Sequence, residues 1–101
     1  MAGLQALVGL IVGKIEDMHD YIQVVFSDGT TLSIFNNYRY DGGSISGIEG
    51  KTVKSVKELD SSVVISFECG KSLLIGLNDD DYSGPEAMVL RQEGKPLVVW
   101  R

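Results

Sequence analysis

Apolar and polar residues alternate through two stretches of this chain, in the same order and the same phase. The first is Tyr21-Ile22-Gln23-Val24-Val25-Phe26, a break at Ser27-Asp28-Gly29, and a return through Thr30-Thr31-Leu32-Ser33-Ile34. The second is Ser62-Val63-Val64-Ile65-Ser66-Phe67, a break at Glu68-Cys69-Gly70, and a return through Lys71-Ser72-Leu73-Leu74-Ile75. Period-two alternation on both sides of a glycine-containing break predicts a β-hairpin. The faces then choose the register. A two-residue Asp28-Gly29 loop would pair Val25 with Leu32 and turn Leu32 away from the other apolar residues. A three-residue loop pairs Phe26 with Thr30, Val24 with Leu32 and Ile22 with Ile34, and every apolar face agrees. That loop is a type I turn followed by a bulge, with Gly29 in the left-handed region. The second stretch requires the same loop, with Ile65 opposite Leu73 and Val63 opposite Ile75.

The repetition extends beyond the hairpins. Shifted by 41 positions, residues 7–38 lie over residues 48–79 without a gap. Gly9 falls on Gly50, Val12 on Val53, Phe26 on Phe67, Gly29 on Gly70, Leu32 on Leu73, Ile34 on Ile75 and Asn37 on Asn78. Ordinary composition gives about two such identities over this span. Leu7/Ile48, Ile15/Val56, Met18/Leu59, Ile22/Val63 and Val24/Ile65 keep the apolar phase without identity. A repeat of this kind marks two copies of one supersecondary unit.

A further strand precedes each hairpin, over roughly 11–18 and 52–59. Its apolar residues are three apart, Val12 to Ile15 and Val53 to Val56, which strict alternation does not allow. A bulge near Gly13-Lys14 and Lys54-Ser55 restores the phase; a short helix is the alternative. Residues 36–46 and 78–85 read as loops, being rich in Asn, Asp, Gly and Ser. A C-terminal hairpin is expected over 86–100, with a turn at Gln92-Glu93-Gly94 of the same kind as at Gly29. Pro96 places its second strand at an edge. Residues 2–8 show no alternation and suit a helical turn over one end of the sheet. The expected fold is all-β: two related antiparallel three-stranded meanders plus a C-terminal hairpin, as a β-sandwich or half-open barrel in one domain of residues 1–101.

Composition narrows the class. The chain has 101 residues, 44% apolar and 23% charged, which is ordinary for a folded domain. No apolar run approaches the ~18 residues of a membrane helix, and no membrane association or secretory leader is expected. Cys69 is the only cysteine, so no internal disulfide is expected, which suits a reducing compartment. The net charge of −5 argues against a nucleic-acid partner, because phosphate binding rewards Lys and Arg. Lys51, Lys54 and Lys57 alternate faces on a strand and build no basic stripe.

Few residues suggest chemistry. His19 is the single histidine and reads as a turn residue. Cys69 occupies the turn position of Asp28 and reads as exposed. One His and one Cys fall short of a zinc shell. Asp79-Asp80-Asp81 lacks the alternating ligand spacing of a calcium loop, so no metal or other cofactor is expected. No phosphate-binding loop or nucleophile motif is present, and the chain is read as a non-enzyme. Tyr38-Arg39-Tyr40 combines residue types enriched at interface hot spots; the alternative is that one of the two tyrosines folds back on the core. With Asp41, the Asp79–Asp81 stretch and Asp28, it forms the expected partner-binding set.

The repeated Gly-x-x-Val-x-x-Ile/Val and x-Phe-x-x-Gly-x-x-Leu-x-Ile patterns, with the tail Gly84-Pro85-Glu86-Ala87 and Val98-Val99-Trp100, resemble small β-rich bacterial immunity proteins. These are encoded beside toxins of contact-dependent growth inhibition and related polymorphic toxin systems. The resemblance implies a cytoplasmic protein that binds the C-terminal domain of a cognate toxin and blocks its active site. An acidic inhibitor suits a basic, nuclease-like toxin. The alternative is a non-catalytic structural or subunit-docking module.

Overall fold

Alternating faces and one glycine-closed turn produce both hairpins with the expected register. The computed structural model describes residues 3–101. Strands β1 (Val12–Asp17), β2 (Ile22–Phe26) and β3 (Thr31–Ile34) form the first meander. Strands β5 (Val53–Glu58), β6 (Ser62–Phe67) and β7 (Ser72–Gly76) form the second. Val24 pairs with Leu32 and Ile22 with Ile34, as Ile65 pairs with Leu73 and Val63 with Ile75. At the turns, Gly29 N–H donates to the Phe26 carbonyl at 2.9 Å and Gly70 N–H to the Phe67 carbonyl at 3.0 Å. The two glycines have φ of 93° and 92°, which L side chains adopt only at a cost.

The three-residue spacing in β1 and β5 comes from bulges and not from a helix. The register slips between Val12 and Lys14 against β2, and between Val53 and Ser55 against β6. One extra residue in each strand turns Val12 and Ile15, or Val53 and Val56, toward the same side.

Residues 36–46 are not wholly a loop. Tyr38–Tyr40 is a strand, β4, paired with β7. Its counterpart β8 (Met88–Arg91) pairs with β3. Each meander therefore sends its next strand to the other meander's sheet. The sheets are β1-β2-β3-β8-β9 and β4-β7-β6-β5, with β9 (Val98–Trp100) as an outer strand. Tyr38 lies opposite Ile75 as Met88 lies opposite Ile34, so Tyr38 and Met88 hold equivalent places.

A pseudo-two-fold axis relates the halves and runs by the Ile11–Thr52 antiparallel bridge. Hydrogen bonds around it come in matched pairs. Gly9 N–H meets the Val53 carbonyl and Gly50 N–H the Val12 carbonyl, both at 2.8 Å. The 3-10 turn Leu4–Leu7 packs on β5, and Ile45–Ile48 packs on β1. This fits the expected N-terminal turn; residue 2 of that stretch lies outside the described residues.

The inner faces form one core around Phe26, Phe67, Leu32, Leu73, Met88 and Leu90, all buried. Each such side chain contributes about 1.5–3 kcal/mol of transfer free energy. The arrangement is sandwich-like, and neither sheet closes into a barrel. The C-terminal turn differs from the expectation. Lys95 N–H donates to the Gln92 carbonyl at 3.1 Å with Gly94 at φ 75°, so the glycine sits one place earlier than at Gly29. Pro96 precedes β9, which is an edge strand as expected. Among the described residues no helix is long and apolar enough to cross a membrane.

Candidate functional site

Two of the sequence segments singled out for binding meet in space. Asn37 joins them. Its N–H donates to the Asp81 carbonyl at 2.9 Å, and its carbonyl accepts from Gly76 N–H at 3.0 Å. The start of β4 is thereby tied both to β7 and to the acidic segment. That segment is a 3-10 turn, Asp79–Asp81, and not an irregular loop. Asp81 N–H donates to the Asn78 carbonyl at 2.8 Å, and the Asp81 carboxylate accepts from Asn78 N–H at 3.1 Å.

Asp81 can fold back this way because residue 76 is glycine. A Cβ there would collide with the Asp81 carboxylate. The other half shows what the space otherwise holds. Phe35 occupies the place of Gly76 and Tyr21 that of Ser62, and the two rings pack with centroids 4.7 Å apart. With small residues instead of rings, the second sheet has an open cleft of about 310 Å³. Tyr38, Arg39, Ser62, Leu74, Gly76 and Asp81 line it. A phenol, a guanidinium, hydroxyls and a carboxylate thus surround one apolar side chain. Such groups suit recognition of a polar protein surface.

The remaining expected residues separate from this group. Tyr40 points inward: its ring lies over Gly42 and meets Phe67 edge-on at 6.3 Å. Burial raises its phenol pKa above the ordinary 10.0, and the nearby Cys69 and Asp41 side chains add to the rise. Cys69 is exposed in its turn, as expected, but it also neighbours this phenol. Asp41 has structural work, since its carboxylate accepts Ser72 N–H at 2.7 Å and closes the β4–β7 ladder. Asp28 does not join the site. Its carboxylate accepts Thr30 N–H at 2.9 Å within its own turn, at the opposite end of β3 from Asn37. Asp79 and Asp80 are exposed beside the cleft. Among the described residues, no group of three or more His, Cys, Asp or Glu side chains is placed to hold a metal ion.

A second cleft, of about 330 Å³, opens at the strand ends between Asp17, His19, Asp20 and Tyr38. Sequence reasoning took His19 only as a turn residue and did not single out Asn36. His19 is the one non-glycine residue with positive φ, 78°, among the described residues. Asn36 is 3% exposed; its amide donates to the Gly76 carbonyl at 2.8 Å, and its Oδ1 has no partner among the described residues. The repeat carried a signal for it, because Asn36 stands where the other copy has Leu77. No family model matches the chain, and neither the curated proteins nor the solved structures contain a match to it.

Proposed function

We propose that this protein is a non-catalytic immunity protein that binds the C-terminal domain of a cognate toxin and covers its active site. The observation that carries this reading is the meeting of Tyr38 and Arg39 with the acidic Asp79–Asp81 turn around one open cleft. Tyrosine and arginine supply anchoring contacts. The acidic turn and the net charge of −5 favour approach to a basic surface, as a nuclease cleft presents. The action is placed in the cytoplasm, where such a toxin would meet its substrate.

The reading predicts a nuclease-like domain encoded beside this chain's gene, and the test is co-purification with that domain. A 1:1 complex is expected, weakening as salt rises. Tyr38→Ala with Arg39→Ala should weaken it at least tenfold, about 1.4 kcal/mol. Absence of association at micromolar concentration overturns the reading. The unpaired side of β4 also suits a subunit-docking module. That reading predicts a stable complex with a protein that is not a toxin, and no protection of cells from any toxin.

A further inference from the structure

The two sheets are not equally complete. In the first, one row of paired residues crosses all five strands: Asp17, Ile22, Ile34, Met88 and Trp100. The matching row in the second sheet is Glu58, Val63, Ile75 and Tyr38, and it stops there. Trp100 ends the first row by reaching across to the second sheet, where its indole N–H donates to Glu58 at 3.1 Å. The pseudo-two-fold relates Glu58 to Asp17. Among the described residues, no strand occupies the place beside β4 that β9 takes beside β8, and the Asp17 carboxylate accepts only the His19 backbone N–H, at 2.9 Å on Oδ1, with no side chain donating to it.

That vacancy has the shape of a site. Asp17, Ile22, Ile34 and Tyr38 line the second cleft; of their counterparts, Met88 pairs with Trp100 and Glu58 accepts its indole N–H. Met88 is fully buried, whereas Tyr38 is 38% exposed. Asn36, with its unpaired and buried Oδ1, lines the same cleft. The backbone also presents a free edge. Asn37 and Asp41 bond to β7, so the alternating ladder turns the N–H and C=O groups of Tyr38 and Tyr40 outward. Asn37 N–H is already taken by the Asp81 carbonyl, which ends the available edge at Tyr38.

We propose that this edge receives one extended segment of the protein partner as a fifth, antiparallel strand. Its tryptophan sits opposite Tyr38 and donates its indole N–H to Asp17, as Trp100 does to Glu58. The recognition is strand addition, with main-chain bonds for affinity and one side-chain pocket for selectivity. The proposal rests on the reading of this protein as a partner-binding module and names the chemistry of the segment it binds. The shortness of β4 limits unspecific pairing at the same edge.

The probe is the peptide Lys-Pro-Leu-Val-Val-Trp-Arg, the sequence of residues 95–101, added to the full isotope-labelled chain. Saturable amide shift changes are expected at Asp17, Tyr38 and Tyr40, with slowed hydrogen exchange at the last two. Asp17→Asn should weaken the peptide about tenfold, the loss of one charge-assisted hydrogen bond, and replacing the peptide's tryptophan by alanine should abolish binding. Changes confined to β8, or unaltered exchange at Tyr38 and Tyr40 at millimolar peptide, overturn the proposal. A dimer of the chain alone that protects the same two amides also overturns it, since the occupant is then a second copy. A toxin domain that binds while these amides stay unprotected removes this proposal and keeps the immunity reading. A peptide that binds at β4 when no toxin domain does keeps this proposal and removes that reading.

Discussion

The two halves of the molecule share turns, bulges and inner faces, and they part at the outer strand ends. In the first half Tyr21 packs on Phe35, β8 is covered by β9, and Met88 is fully buried. In the second half the equivalent positions hold Ser62 and Gly76, β4 has one neighbour, and Tyr38 is 38% exposed. Positions that set the fold kept their chemistry in both copies, because each inner face must be covered by the other. Positions outside that constraint diverged, and the open cleft and the free edge are both found there. A pseudo-symmetric protein thus carries its own reference: the filled half shows what the open half lacks.

The comparison can be tested most strongly at its centre. Phe26→Ala and Phe67→Ala should each cost about 3–5 kcal/mol in urea unfolding. The Phe67 substitution should cost more, since it also removes the edge contact with Tyr40, worth about 0.5–1.5 kcal/mol. Equal losses would mean that β4 adds nothing to the core of the second half. Next in size is the closing residue of each row. Trp100→Ala should destabilise by about 2 kcal/mol, from lost apolar burial and the Glu58 hydrogen bond. Tyr38→Ala should cost less than about 0.5 kcal/mol. A large loss at Tyr38 would show that the second row is already closed.

The turns should behave alike. A Cβ at Gly29 or Gly70 meets nothing within 4 Å, so only the positive φ opposes a side chain. Gly29→Ala and Gly70→Ala should each cost about 1–2 kcal/mol, and a marked difference between them would break the symmetry of the hairpins. The smallest effect is at Tyr40. Its folded-state pKa lies above the unfolded value because burial disfavours the phenolate. The stability this contributes is complete below pH 10.0 and is lost as pH rises through the folded-state value. Absorbance titration should show one late phenol, absent in Tyr40→Phe, and the variant should lose less stability in alkali.

The hairpin registers were legible because face and spacing leave one solution. Leu32 can join Val24 and Ile22 only through a three-residue turn, and Leu73 repeats the requirement. The bulges were legible only as one of two readings: Val12 and Ile15 cannot share a face on a regular strand, and their spacing left a short helix open. Strand β4 was not legible. Three residues carry too little pattern, and its partner β7 lies far along the chain, where no local signal points. The site was half legible. Tyr38, Arg39 and the acidic turn stood out by residue type, but type did not reveal that Asp28 caps its own turn and Asp41 the Ser72 N–H of β7. Nor did it show that Tyr40 faces Phe67, because a tyrosine on a short strand takes its direction from the ladder it joins.

By itself, the sequence determined the two meanders, their turns and the face each presents inward. Those follow from local sterics and from alternation, which act between near neighbours. The tertiary structure alone decided that the meanders exchange their next strands, that Asn37 links β4 to the acidic turn, and that among the described residues β4 pairs on one side only. Those depend on which distant backbone groups find partners, and the requirement that buried N–H and C=O groups be paired is met only by the whole fold.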